Sequence, residues 1–184
     1  PDIPGIAETP YFTPKDILTL TRPPKTLFII GSTPAAIEIA SLMSIFGTKV
    51  YLADSATRIM PDQDEDVSEM IGSQLTKQRG MTIMPNTKIV AVQKEGIYRR
   101  ITFVRAGVER TIKVDALMIA DRRAPATDIG LENAGVAYNS QGIKVNASLQ
   151  TSSKHIFAAG SCVHPGAATH EILMHSRVAA HNLL

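Results

Sequence analysis

Cysteine occurs once in this chain, as Cys162. A single thiol excludes a disulfide framework within the chain and fits a reducing cytoplasm. Blocks of like charge are also scarce. Nineteen Lys and Arg against seventeen Asp and Glu leave a formal net charge of +2. That balance argues against a nucleic-acid partner or a membrane-surface role. No apolar run approaches the length of a membrane span, and no signal peptide is visible. The 184 residues suffice for one core-forming domain and a small second one. The chain begins at Pro1 rather than Met, which reads as a fragment excised from a longer protein.

Glycine is missing where the most informative stretch calls for it. Residues 27–54 read LFIIGSTPAAIEIASLMSIFGTKVYLAD. The apolar run Leu27 to Ile30 meets Gly31. A helical pattern follows from Pro34 to about Phe46, and a second apolar run, Val50 to Ala53, ends in Asp54. Strand, tight turn, helix and strand in this order form the opening of a dinucleotide-binding unit. In such a unit the first Gly makes the turn, the second lets backbone approach the pyrophosphate, and the third lets helix pack on strand. Here the three positions are Gly31, Thr33 and Ala36. Ala36 is an accepted small replacement. Thr33 carries a β-branched side chain where the phosphates come closest. Pro34 removes one of the N–H groups that would bind the anion.

Two readings of this turn stand side by side. Thr33 is a good N-cap and Pro34 a good first helical residue, so the helix forms without a ligand. Alternatively, the Ser32 and Thr33 hydroxyls serve as substitute phosphate donors. Asp54, 23 positions after Gly31, can accept hydrogen bonds from the adenosine ribose, which favours NAD over NADP. It also reads as a plain solvated strand-end acid. Arg58 lies close enough in sequence to pair with Asp54 or to meet a phosphate.

The rest of the chain is organised around this unit. Residues 1–25 form a proline-rich strap with a short local element at Pro14 to Leu20. Six of the eleven prolines fall in residues 1–26. A helix is expected from Glu65 to Arg79, ended by Gly80, with acids at its start. Met81 to Met84 is a short strand candidate. Residues 87–94, 97–105 and 109–114 read as an antiparallel meander, and Val114 to Ala120 as a buried strand. Residues 121–142 are turn-rich, with a brief helical piece at Leu131 to Ala134. Ile143 to Val145 and His155 to Ala159 are expected to pair as strands. A helix closes the chain from about Thr169 to Leu183.

Five blocks, taken in order, resemble the FAD-dependent pyridine nucleotide-disulfide oxidoreductases, and within them the dihydrolipoamide dehydrogenase-like members. They are FIIGSTPAAIEIASLMSIFGTKVYLAD, RIMPDQDEDVSEMIGSQLTKQRG with the meander after it, VDALMIADRRAPATDIGLENAGV, TSSKHIFAAGSCVHPG, and THEILMHSRVAAHNLL. The resemblance implies an α/β fold: a Rossmann-like three-layer NAD-binding domain with a parallel sheet and an antiparallel β-meander, plus a flanking flavin-domain segment. It divides the chain into a strap from the flavin domain (1–25), an NAD(P)-binding domain (26–120), and a linker with the second flavin-domain segment (121–184). Gly31, Ser32, Thr33 and Ala36 would face the pyrophosphate, Asp54 the ribose, and Glu38 the nicotinamide side. Gly160 and Ser161 would contact flavin, with Ser161 standing where the family has an Asp. Asp121 replaces the usual link Gly, Ala126 the usual Asn, and Arg122 matches the link arginine.

The implied parent is a cytoplasmic, homodimeric flavoprotein in which this domain presents nicotinamide to FAD for hydride transfer. Its partners are the dinucleotide and the rest of its own chain. The family's redox cysteine pair would precede Pro1, and its catalytic His and Glu would follow Leu184, so the fragment alone is expected to be inactive. The rival expectation is a non-catalytic binding or structural module that has lost nucleotide affinity, motivated by Thr33, Pro34, Asp121 and Ser161.

Other chemistry is excluded on spacing. The helical members of the set His164, His170, His175 and His181 never stand four apart, so they share no ligand face. His170-Glu171 lies in the wrong segment to be the family's catalytic pair. Asp62 to Asp66 resembles a calcium loop, but Val67 stands at its glycine position and Ser73 at its final glutamate. Cys162 has no readable activating partner.

Overall fold

Four short strands build the central sheet. The computed structural model describes residues 2–77, 81–120, 125–167 and 169–184. Strands β1 (Thr26–Ile30), β2 (Lys49–Ala53), β3 (Thr82–Met84) and β7 (Ala116–Ile119) lie in the order β3-β2-β1-β7, every pair parallel. Leu27, Ile29, Val50, Leu52 and Met118 share one face and pack under helix α1 (Pro34–Ile45) and helix α2 (Glu65–Lys77). Phe28, Ala53 and Leu117 take the other face, because neighbouring side chains on a strand point oppositely. That face packs against β4 (Thr87–Glu95), β5 (Tyr98–Arg105) and β6 (Val108–Val114), an antiparallel meander. Phe28 is fully buried, its ring centroid 6.0 Å from Phe103 and 6.3 Å from Tyr51. Three layers result, as expected: helices, parallel sheet, meander.

Local signals set the helix boundaries. The Thr33 hydroxyl caps α1 by accepting from the Ala36 N–H, and Pro34 occupies the first turn. Gly47, at φ +85°, ends it, donating its N–H to the Ser44 carbonyl. Glu65 and Asp66 stand in the first turn of α2, where the positive end of the helix dipole favours them. The expected end of that helix, at Arg79 and Gly80, lies outside the described residues, as do Asp121 and Arg122.

The chain divides into two units, Pro1–Asp121 and Arg122–Leu184. Within the first, the strap is stitched to the meander and to β7. Phe12 donates to Leu117 O at 2.8 Å and accepts from Ile119 N at 2.9 Å. The Val92 N–H reaches Pro4 O at 2.9 Å, and Arg99 Nε reaches Pro10 O at 3.0 Å. Among the described residues, no helix is long and apolar enough to cross a membrane.

The second unit has a small core of Leu131, Val136, Ile143 and Ala158. Here one expectation is corrected. Ile143 does not pair with residues 155–159. Instead β9 (Gly142–Ile143) pairs antiparallel with β8 (Tyr138–Asn139). The Asn139 side chain accepts from the Gln141 N–H at 2.9 Å, which fixes a tight turn the apolar pattern could not reveal. Phe157 keeps a single bridge, to Gln150. Helix α3 (Thr169–Leu183) buries none of its described residues.

Candidate functional site

The chain runs outward from β1 to β2 and β3, then returns on the other side of β1 as β7. The strand order therefore reverses at β1, and an open α/β sheet binds its ligands at such a switch point. Gly31 stands there with φ +99°, a conformation that side-chain-bearing residues rarely adopt. Its N–H still reaches Ala53 O at 2.8 Å, so the turn begins before the β1–β2 pairing is lost.

Ser32 and Asp54 meet across this turn. Ser32 is 2% exposed, and its hydroxyl donates to Asp54 Oδ2 while accepting from the Met60 N–H at 3.0 Å. Asp54 Oδ1 accepts from the Ala56 N–H at 2.9 Å. The Asp54 backbone is held as well, its N–H on Met84 O at 3.1 Å and its carbonyl accepting from Thr87 N at 2.8 Å. A carboxylate offers about four acceptor positions, so these two contacts leave about two free. Asp54 makes no ion pair among the described residues. Arg58, considered from sequence as its partner, points Nη2 at Pro61 O (3.1 Å) and Gln63 O (2.9 Å) instead.

In this arrangement the Ser32 and Thr33 hydroxyl protons are already engaged. A hydroxyl has one proton to give. Ser32 gives its proton to Asp54, and Thr33 gives its own to Ala120 O at 3.0 Å. The helix end is also sparing with amides. Pro34 has none, Ala36 N–H is spent on Thr33 Oγ1 at 3.3 Å, and Ile37 N–H on Thr33 O at 3.1 Å. Of residues 34–37, Ala35 alone has an N–H without a partner among the described residues. Ala36 is fully buried, so the third motif position does admit close packing of helix on strand.

Gly31, Ser32, Thr33, Ala36 and Asp54 are thus brought together at one end of the sheet. Glu38 stands exposed on the second turn of α1. Gly160 and Ser161 belong to the second unit. Gly160 is buried at φ +85° and its carbonyl accepts from Val163 N (3.0 Å) and His164 N (3.1 Å), while Ser161 is exposed. Sequence reasoning missed Met60, Ala56 and Ala120, which act through backbone atoms and carry no side-chain signal. No group of three or more His, Cys, Asp or Glu is placed to share a metal ion among the described residues.

Known proteins share both sequence and fold with this chain. Residues 1–182 match the family described as Pyridine nucleotide-disulphide oxidoreductase. The mercuric reductase of Staphylococcus aureus is 34% identical over 162 residues, covering 87% of this chain and 29% of that protein. The dihydrolipoyl dehydrogenase of Thermus scotoductus is 30% identical, covering 86% of this chain and 35% of its own length. The structure of HOCl-induced flavoprotein disulfide reductase RclA from Escherichia coli superposes with a TM-score of 0.87 at 31% identity, covering all of this chain and 42% of that one. The chain therefore spans less than half of each of these relatives. Its matched span, its paired sheets and its fold likeness lead to one statement: the chain belongs to the pyridine nucleotide-disulphide oxidoreductase family.

Proposed function

We propose that residues 26–120 bind NAD(H), and that in a longer flavoprotein they present the nicotinamide to FAD for hydride transfer. The observation that carries this reading is the Asp54 carboxylate. It sits at the end of β2 beside the Gly31 turn, with no ion pair and with acceptor positions to spare among the described residues. A ribose diol can fill those positions, and a 2′-phosphate is repelled by the same charge. Gly31, Ser32, Thr33 and Ala36 line the pyrophosphate side, and Glu38 the nicotinamide side. The bound dinucleotide supplies the hydride, while these residues bind and orient it. The names of the relatives, mercuric reductase and dihydrolipoyl dehydrogenase, support an enzymatic parent, and the flavoprotein RclA supports a flavin in it. Gly160 and Ser161 then belong to its flavin-contacting segment. The chain alone, with Cys162 as its one thiol, is inactive toward disulfides, because exchange and electron transfer need a cysteine pair and a flavin.

Calorimetric titration with NADH tests the reading. Micromolar binding is expected, weakened about tenfold or more by Asp54→Asn, with NADPH binding more weakly than NADH to the wild-type chain. A second reading, a module without nucleotide affinity, draws on the Thr33–Ala120 bond and on the engaged Ala36 and Ile37 amides beside Pro34. Absence of heat at millimolar NADH would establish that reading and remove the first.

A further inference from the structure

We propose that Ser32 is a positioning residue: it pre-sets Asp54 for ribose recognition rather than contacting the phosphates. This rests on the NAD-binding reading above and assigns a different job to the residue next to the motif's first glycine.

The argument starts from what a free aspartate would do. A strand-end carboxylate can adopt several rotamers, and ordering it on binding costs affinity. Here both ends of the side chain are already held, Oδ1 by the Ala56 N–H and Oδ2 by the Ser32 hydroxyl. Ser32 can hold it because Ser32 is itself fixed. It is 2% exposed, and its oxygen accepts the Met60 N–H. That same contact secures the loop of residues 55–60 over the turn. Met60 has φ +47°, a left-handed backbone that residues with side chains avoid unless the surroundings impose it. The hydroxyl therefore ties three segments together: the phosphate-side turn, the end of β2, and the loop after it. Each of its lone contacts is matched in kind, one proton given to a carboxylate and one accepted from an amide. A phosphate would have to break the donor bond to use this hydroxyl, and would cost the Asp54 oxygen its partner.

The assignment predicts a specific pattern of coupling. Ser32→Ala should weaken NADH binding about tenfold, and ADP-ribose binding by the same factor, since both carry the adenosine ribose. Nicotinamide mononucleotide, which lacks it, should bind with unchanged affinity. In an Asp54→Ala background, adding Ser32→Ala should change the NADH affinity less than twofold, because Ser32 acts through Asp54. Ser32→Cys, close in size, controls for packing and should retain the melting temperature while losing most of the affinity. Amide exchange at Met60 should accelerate in Ser32→Ala while exchange in the middle of α1 does not. Additive losses in the double variant, or an equal loss for nicotinamide mononucleotide, would overturn the positioning role and leave NAD binding standing. No NADH heat from the wild-type chain would overturn both.

Discussion

The Thr33 hydroxyl donates to the Ala120 carbonyl at 3.0 Å, closing the gap between the turn after β1 and the end of β7. The same oxygen caps α1. One side chain thus stabilises the fold on both sides of the crevice while filling the place where the motif would bring phosphate to bare backbone.

Thr33→Gly is expected to separate these two roles. Losing the cap and the cross-crevice bond should lower stability by about 1–2 kcal/mol. Opening the approach to the pyrophosphate should raise NADH affinity about tenfold. Urea unfolding and calorimetry on one preparation read both quantities. A loss of stability with no gain in affinity would mean that the β-branched side chain is not what limits phosphate contact.

The meander carries a pH-sensitive surface cluster. The Lys113 ammonium and then the Arg100 guanidinium, at 3.0 and 2.7 Å, hold the Glu95 carboxyl below its ordinary value. A lowered folded-state pKa contributes stability that is complete above the usual glutamate range. It is lost as pH falls through the folded-state value. The cluster is solvent-exposed, so the effect is small and salt-screened. Glu95→Gln should flatten the low-salt decline of the urea midpoint between neutral and acid pH. An unchanged decline would show that the cluster is energetically silent.

Phe28 joins the parallel sheet to the meander from a fully buried position. Phe28→Ala should cost about 3–5 kcal/mol, enough to consume much of a small domain's stability. Thermal denaturation followed by circular dichroism checks this. A shift of only a degree or two would mean that the two layers slide together to refill the space.

Gly142 has φ +126°, and a Cβ there would lie 2.4 Å from the Cys162 carbonyl oxygen. Because the obstacle is backbone, Gly142→Ala should displace residues 160–162. Faster amide exchange at Val163 and His164, which both bond to Gly160 O, is the expected reading. Protection equal to wild type would show that the hairpin can move away instead.

The sheet was legible because Leu27 to Ile30 and Val50 to Ala53 alternate between two apolar faces, which needs only local pattern. Asp54 was legible from its distance to Gly31. The inward turn of the Ser32 and Thr33 hydroxyls was not. Their partners, Met60 N–H and Ala120 O, lie 28 and 87 positions away and belong to backbone that any residue would supply. Arg58 does not pair with Asp54 for a related reason: its Nη2 takes the nearby carbonyls of Pro61 and Gln63. In the second unit, Ile143 and Val145, apolar residues two apart, point to a longer strand, yet the Asn139 turn gives Ile143 a nearer partner.

Phe12 lies along the outer side of β7, trading hydrogen bonds with Leu117 and Ile119. Without it, β7 would offer a row of bare amides and carbonyls, the surface on which strands of separate molecules add to one another. A chain trimmed to begin at Thr26 would keep its motif yet gain an adhesive margin. The proline-rich strap thus covers this edge, and dinucleotide titrations are best made with it in place.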